Sequence, residues 1–433
     1  MRIPALCLAL TLLAACDDAG GGADPTPDRG AAADAAPVVD QAVEADLDVT
    51  DAGPADAGPD ARVPLMPDEQ PTEGPATLTG APDLVAAVPA GRARAGRVDT
   101  PGEALTGPDA RCRPGCFRLD NALISVCIQG ESTFSQLTFQ GGNIIDAYPA
   151  DRPGTDRLRE VVISPGLGEI SVERIGIVRD GADGGPAVLR TVGHLGGNRT
   201  IQAYLPGTAP APVAVTTEYR LAPDAGHVDV LTWLTAEAPA GFLMADLVMF
   251  GDRTDAFFPG GPPDAAPGGQ MDFLAASAED VAYGWAGVAG PIAVINIPID
   301  AFPLRPVTHG QLALQTGDTL LLRRRFLVGH DIEDLRDPPE AFAAVTLAGP
   351  PGAWIDVDDG ERQITRAHLA ADGTRTVRLA PGAYRARPVD WAGGEPEPVW
   401  FTAGTDDRVV LPLPEPARLR VRVRDDGDRG IGA

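Results

Sequence analysis

The clearest signal for the fold is in two runs, Val213-Ala-Val-Thr-Thr-Glu-Tyr-Arg-Leu221 and His227-Val-Asp-Val-Leu-Thr-Trp-Leu234. Apolar and polar residues largely alternate in both runs, which is typical of β-strands with one buried face. The segment between them contains Asp224-Ala-Gly226, and aspartate and glycine favour turns. The two runs therefore predict a pair of neighbouring antiparallel strands.

Similar short apolar runs continue on both sides of this pair. We expect strands at 123–128, 134–139, 161–164, 170–178, 188–192, 243–250, 281–285, 292–297 and 320–328. Asp180-Gly181 and Gly317-Asp318 give further turn signals between them. About eleven strands in residues 110–335 predict an antiparallel sandwich larger than an immunoglobulin-type domain.

Length and composition support an all-β protein with more than one domain. A chain of 433 residues exceeds one ordinary core. It contains 43 Pro and 51 Gly, which favour turns over long helices. The net charge of -26 argues against nucleic acid as a partner, because binding phosphates requires a clustered basic face. No nucleic-acid partner is therefore expected.

The N-terminus has the features of an export signal. Arg2 precedes an apolar run at 3–12 that is too short to span a membrane, and Leu13-Ala14-Ala15-Cys16 follows it. These four residues resemble a lipobox, in which Cys16 receives the lipid. The sequence predicts a signal peptide at 1–15. It also predicts a lipid-anchored protein in the cell envelope, either in the outer membrane or on the periplasmic face of the inner membrane.

Residues 16–80 have the composition of a disordered tether. Asp, Ala, Gly and Pro dominate, and the near-repeat Asp51-Ala-Gly-Pro-Ala-Asp-Ala-Gly-Pro-Asp60 buries little. About fifteen carboxylates face only Arg29 and Arg62, so self-repulsion should keep this segment extended. The alternative, calcium capture, lacks the ligand spacing of a calcium loop.

Three cysteines follow the predicted anchor. A hairpin turning at Asn121-Ala122 would place Cys116 opposite Cys127, and this is the disulfide we expect. A bond between Cys112 and Cys116 across a tight turn is the open alternative. Three cysteines without a nearby histidine disfavour a zinc site, so neither a metal nor a cofactor is predicted.

Several motifs resemble the galactose-mutarotase-like supersandwich domains. They are Phe117-Arg-Leu-Asp-Asn121, Gly141-Gly-Asn-Ile-Ile-Asp146, Thr217-Glu-Tyr-Arg-Leu221 and Leu231-Thr-Trp-Leu234. The resemblance implies a carbohydrate ligand. Epimerases of this group use a histidine base and a glutamate acid, and neither matches a motif in this chain.

Catalytic motifs do not emerge from the sequence. His194, His227, His309, His330 and His368 are far apart, with no His-x-His or His-Glu-x-x-His pattern. A Gly-x-Ser-x-Gly nucleophile motif is also absent from the sequence. Most of these histidines are expected at the surface or in turns, and Trp233 and Trp285 in the core. We therefore expect no catalytic residues and no enzyme activity.

A second, smaller domain is predicted at 343–414. Asp372-Gly373 indicates a hairpin turn, and Leu379-Ala-Pro-Gly-Ala-Tyr384 indicates a turn between two strands. This pattern resembles the carboxypeptidase regulatory-like, transthyretin-type sandwich. Leu419-Arg-Val-Arg-Val-Arg424 then resembles the first strand of an incomplete further module at 417–433.

The order of these segments suggests three functions. It resembles the N-terminal, non-catalytic part of envelope proteins that end in a CehA/McbA-like PHP metallohydrolase, whose His-x-His metal motif this chain lacks. The leading expectation is a non-catalytic envelope protein that binds a glycan or an envelope component. The alternatives are a sugar-active epimerase or lyase, and a scaffold for a missing hydrolase.

Overall fold

The computed structural model describes the part of the chain that follows the predicted anchor. Its described residues are 65–77, 80–131, 138, 140–165, 168–196, 211–251, 253–261, 269–294, 304–337, 340–389 and 397–412. The predicted signal peptide, Cys16 with Leu13, Ala14 and Ala15, the strand at 419–424 and most of that at 134–139 lie outside the described residues.

In the described ranges, seventeen strands form a large sandwich. They are β1 Ala93–Arg97, β2 Phe117–Asn121, β3 Ile124–Ile128, β4 Ile144–Pro149, β5 Leu158–Pro165, β6 Ile170–Arg179, β7 Ala187–Leu195, β8 Val213–Leu221, β9 His227–Ala236, β10 Ala240–Phe250, β11 Asp255–Phe257, β12 Gly269–Met271, β13 Phe273–Ala278, β14 Val281–Gly287, β15 Ile292–Val294, β16 Leu304–Leu314 and β17 Thr319–Gly329. A short 3₁₀ turn covers Pro101–Glu103.

These strands form two antiparallel sheets, which confirms the all-β prediction. The nine-stranded sheet has the order β1-β2-β3-β4-β5-β10-β16-β15-β12, and the eight-stranded sheet has the order β11-β13-β14-β17-β9-β8-β7-β6. Inward-facing residues of both sheets form one core, and Trp285 is fully buried in it, as predicted. The sandwich begins at β1, earlier than the predicted boundary at residue 110.

The predicted pair β8 and β9 is confirmed, with Val213 opposite Ala236 and Arg220 opposite Asp229. Tyr219 and Val230 belong to the core between the sheets. Because side chains alternate along a strand, Glu218 and Trp233 point to the outer face of the eight-stranded sheet. That outer face carries the candidate site described below.

Two of the strands that were not predicted, β13 and β16, lack ordinary strand signals. Strand β13 is rich in alanine, and β16 contains Pro306 and Gly310, which usually interrupt strands. The pairing of β16 with β10 shifts between Leu243 and Ala245, which is a β-bulge at His309-Gly310. Gly310 accommodates it with a φ of 95°. The bulge places His309 where it can contact β10.

The predicted disulfide is wrong: Cys112 and Cys127 are bonded, with their Cα atoms 6.1 Å apart. The hairpin of β2 and β3 turns one residue later than predicted, so that Arg118 is the residue opposite Cys127. In this register Cys116 is no longer opposite Cys127, so the two residues do not form the predicted pair. Cys116 stays buried in the same small apolar cluster, outside the disulfide.

The second domain is a small two-sheet sandwich. Its strands are β18 Ala343–Ala348, β19 Trp354–Asp358, β20 Gln363–His368, β21 Thr374–Leu379, β22 Gly382–Val389, β23 Val399–Ala403 and β24 Arg408–Val410. The sheets have the orders β21-β18-β24 and β20-β19-β22-β23.

The two predicted turns of this domain have different outcomes. Asp372-Gly373 connects β20 to β21, which lie in different sheets, so it is a crossover and not the predicted hairpin turn. Ala380 and Pro381 separate β21 from β22, whose first residue is Gly382, so the predicted turn between two strands is confirmed. The hydroxyl of Tyr384 donates to the carbonyl of Ala380 at 2.9 Å and closes this second turn.

A short helix connects the two sandwiches. Helix α1, Ile332–Leu335, follows Asp331, whose carboxylate accepts hydrogen bonds from Arg375 of β21 at 2.8 and 2.9 Å. Gly260 of the large sandwich donates to the carbonyl of Gln363 in β20 at 2.8 Å. Ionic and backbone contacts therefore join the two domains.

His330 adds a pH-dependent contact beside this connection. Its Nδ1 lies 2.9 Å from Asp334, and its Nε2 lies 2.9 Å from Asp151. The hydrogen bond to Asp334 is the main reason that the pKa of His330 rises to about 9, despite partial burial and with help from Asp151. Because this pKa is raised on folding, the stabilisation is complete below about pH 6.5 and is lost as the pH rises through about 9.

We therefore expect His330→Gln to destabilise the protein most at low pH. The difference from wild type should shrink between about pH 6.5 and about pH 9, as measured by urea unfolding. His227→Gln is the comparison, because burial lowers the pKa of His227 and its contribution is lost as the pH falls. A pH-independent effect of His330→Gln would contradict this assignment.

Candidate binding site on the outer face of the eight-stranded sheet

Residues 65–77, which we call the strap, lie across the outer face of the eight-stranded sheet. At one end the amide of Thr319 in β17 donates to the carbonyl of Leu65 at 2.7 Å. At the other end Thr77 and Ile177 of β6 exchange backbone hydrogen bonds of 2.6 and 2.8 Å. This part of the predicted disordered tether is thus wrong, because the strap forms backbone hydrogen bonds with the interior strand β17 and with the edge strand β6.

Glu69 is the central charged contact of the strap. Its Oε1 accepts a hydrogen bond from Arg220 of β8, and its Oε2 accepts from Nε and Nη2 of Arg323 at 3.2 and 3.1 Å. Partial burial alone would raise the pKa of Glu69, but the two guanidinium groups outweigh it and lower the pKa. The indole N–H of Trp233 donates to the carbonyl of Glu69 at 2.8 Å.

A second carboxylate, that of Glu218 in β8, holds Arg190 and Arg220 in place. It is fully buried and accepts from Nε of Arg190 at 2.8 Å and from Nε of Arg220 at 2.8 Å. The hydroxyl and amide of Thr72 donate to the same carboxylate, each at 2.9 Å. Because it is bound by groups from β7, β8 and the strap, Glu218 fixes Arg220 in one orientation.

An open cavity lies beside the strap, with a volume of about 330 Å³. Its lining consists of Glu69, Gln70, Thr72, Glu73, Arg179, Pro186, Val188 and Arg220. Carboxylates, an amide, a hydroxyl and guanidinium groups therefore meet at one opening. Such a lining can both donate and accept hydrogen bonds, as a polar ligand requires.

Sequence reasoning missed this site. It placed Trp233 in the core, and the ring is indeed 3% exposed. However, Trp233 lies on the outer face, where the strap covers it. The position of Trp233 was the available signal. It alternates with the inward-facing residues of its strand, and a tryptophan on the outer face of a sheet usually packs under another segment of the chain.

The five histidines have separate environments. His194 contacts Glu173 and Glu237, while His227 lies 3.6 Å from Asp229. The ring of His368 stacks on Trp354 with centroids 4.4 Å apart. His330 contacts Asp151 and Asp334, as described above. Each histidine thus has its own neighbours in the fold.

His309 has the most buried carboxylate partner. Its Nε2 lies 2.7 Å from Oδ2 of Asp246, and the indole N–H of Trp285 donates to the same oxygen at 3.0 Å. The Arg324 guanidinium lies 3.5 Å from the other oxygen of Asp246, with both side chains fully buried. Thr232 accepts a hydrogen bond from Arg324. These contacts bridge the two sheets inside the core.

A pair of buried aspartates lies near the disulfide. Asp146 accepts from the amides of Arg111 and Cys112, and burial together with nearby Asp156 raises its pKa. Burial likewise raises the pKa of Asp156 to about 7. Asp146 and the sulfurs of Cys112 and Cys127 are close enough to share a metal. Disulfide sulfurs lack the thiolate that binds metals, so this group is better explained as structural.

Comparisons with known proteins give structural likeness at low identity. A TPR-domain protein from Parabacteroides distasonis is 10% identical with a TM-score of 0.36, and the match covers 52% of this chain and 49% of that one. A galactose mutarotase-like protein from Lactobacillus casei is 11% identical with a TM-score of 0.31, and the match covers 49% of this chain and 100% of that one. A putative aldose 1-epimerase from Escherichia coli is 9% identical with a TM-score of 0.28, covering 49% and 98%.

No protein-family model and no curated protein matches the sequence. Across the described ranges, no helix has the length and hydrophobicity that crossing a membrane requires.

Proposed function

We propose that the protein is a non-catalytic, lipid-anchored protein of the cell envelope that binds a glycan. The observation that carries the proposal is the polar cavity beside the strap. Its volume of about 330 Å³ falls within the range of about 300–1,000 Å³ that is usual for ligand sites. Sugars offer hydroxyl groups that donate and accept, and the cavity has partners for both.

The arrangement of the histidines supports binding over catalysis. An epimerase or lyase requires an acid and a base within reach of one substrate. His309 and Asp246 form the most buried of the histidine–carboxylate pairs in the described residues, but Asp246 has no exposed surface and is shared with Trp285 and Arg324. This carboxylate is arranged to stabilise the core.

The cavity is tested by glycan-array binding of the full chain carrying Cys16→Ser, which keeps it soluble. We expect Arg179→Ala to weaken binding about tenfold, because Arg179 lines the cavity and is exposed. Trp400→Ala is the control, since Trp400 is an exposed aromatic residue on the small sandwich. Loss of binding in Trp400→Ala alone would move the glycan site to that domain. No signal on the array would favour a scaffold.

The lipid anchor has its own test. Labelled palmitate should enter the wild-type protein in cells and not the Cys16→Ser variant. Membrane fractionation should recover wild type with the membranes and Cys16→Ser in the soluble fraction. Equal membrane recovery of the two proteins would remove the anchor from this proposal.

A further inference from the structure

We propose that Arg220, Arg323 and Trp233 form a receptor for a carboxylated saccharide, and that Glu69 of the strap occupies this receptor as an internal competitor. The inference rests on the glycan-binding function proposed above and specifies its ligand class as uronic-acid sugars. It also assigns the strap a regulatory role, because the ligand must displace Glu69 to bind.

The contacts of Glu69 are those of a bound ligand. Arg220 and Arg323 come from two different strands of the sheet and bind the two oxygens of one carboxylate. A planar guanidinium matches a carboxylate in geometry and charge, so two of them define a carboxylate site. The receptor belongs to the sheet, whereas the carboxylate belongs to a segment without regular secondary structure.

Of the two arginines, Arg220 is also held by a carboxylate of the sheet. Glu218 holds Nε of Arg220 at 2.8 Å and Nη2 at 2.7 Å from within the sheet. The Arg220 guanidinium also lies 5.7 Å from the centre of the Trp233 ring. If the strap leaves, Glu218 still binds Arg220, and the part of Trp233 that the strap covers becomes accessible to a sugar ring.

The central contact of the strap is suited to exchange. The side chains of Glu69 and Arg323 are each 35% exposed, so water screens this ion pair and it contributes little to stability. Glu69 and Arg220 also line the open cavity. A saccharide already seated there would therefore lie next to Arg220 and to Glu69, the residue it must displace.

The main experiment measures binding of trigalacturonate to the full chain carrying Cys16→Ser. Glu69→Gln removes the charge of the competitor, so we expect binding about tenfold tighter than without this change. Glu237→Gln is the matched control, because it removes an equal charge from a side chain that contacts His194. Arg323→Gln should weaken binding, and the methyl ester of trigalacturonate should show no gain with Glu69→Gln.

A second measurement uses the chain with its strap intact. Amide hydrogen exchange at Thr72 reports the strap, because this amide donates to Glu218. Saturating trigalacturonate should accelerate exchange there. This readout keeps the inference testable even if Glu69→Gln folds poorly.

The results separate this inference from the proposed function. Equal trigalacturonate affinity with and without Glu69→Gln, or unchanged exchange at Thr72 on binding, would overturn the competitor role. Glycan binding that depends on Arg179 but is limited to neutral sugars would leave the proposed function intact and overturn the ligand class. If the Cys16→Ser chain binds no glycan either with or without Glu69→Gln, both proposals fail.

Discussion

Asp246→Ala is expected to lower the free energy of unfolding by about 3–5 kcal/mol, the usual result of removing one partner of a buried ion pair. The substitution would leave the Arg324 guanidinium fully buried without its carboxylate. It would also remove the acceptor of the Trp285 indole N–H, which lies 3.0 Å away. Urea unfolding followed by tryptophan fluorescence measures the effect.

An exposed ion pair provides the control for this prediction. Asp229 and Arg325 are 3.3 Å apart with side chains 42% and 36% exposed. Solvent screens such a pair, so Asp229→Ala should cost less than about 1 kcal/mol. Similar losses for Asp229→Ala and Asp246→Ala would show that burial does not govern the effect.

A double substitution separates the ion pair from the packing around it. Replacing both charges with apolar groups, as Asp246→Leu with Arg324→Met, leaves neither a buried cation nor a buried anion. We expect the double variant to be more stable than the sum of the single losses predicts, because apolar replacements can offset a buried pair. If the double variant loses as much stability as the two single variants together, the stabilisation comes from other contacts of each side chain and not from the ion pair.

The sequence predicted parts of the fold that depend on local patterns. Strand alternation and the turn at Asp224-Ala-Gly226 gave β8 and β9 with their correct pairing. Local patterns failed at β16, where Pro306 and Gly310 obscure a strand that tertiary contacts stabilise. They also failed in the cysteine hairpin, since turning one residue later changes every cross-strand partner.

The candidate site was beyond local patterns for a different reason. Glu69 contacts Arg220 and Arg323 at sequence separations of 151 and 254 residues. The composition around Glu69 is that of a tether, and only the positions of the arginines on the folded sheet distinguish a strap from a spacer. Composition gives the charge of a segment, but it cannot show which surface will bind that segment.

The second large effect is expected at the disulfide. Cys127→Ser should lower the free energy of unfolding by about 3 kcal/mol, because the bond closes a loop with a sequence separation of 15 and restricts the unfolded chain. Cys112→Ser should have a similar effect, although hydrogen bonds from the amides of Arg111 and Cys112 to Asp146 still hold this segment. Denaturant unfolding of each variant, without reductant, measures the loss.

Cys116→Ala distinguishes the two possible partners of Cys127. It removes a buried thiol but retains the Cys112–Cys127 bond, so its loss should come only from packing and be smaller. Intact mass after alkylation without reduction should show a disulfide in Cys116→Ala and none in Cys112→Ser. A disulfide that persists in Cys112→Ser would mean that Cys116 can bond to Cys127.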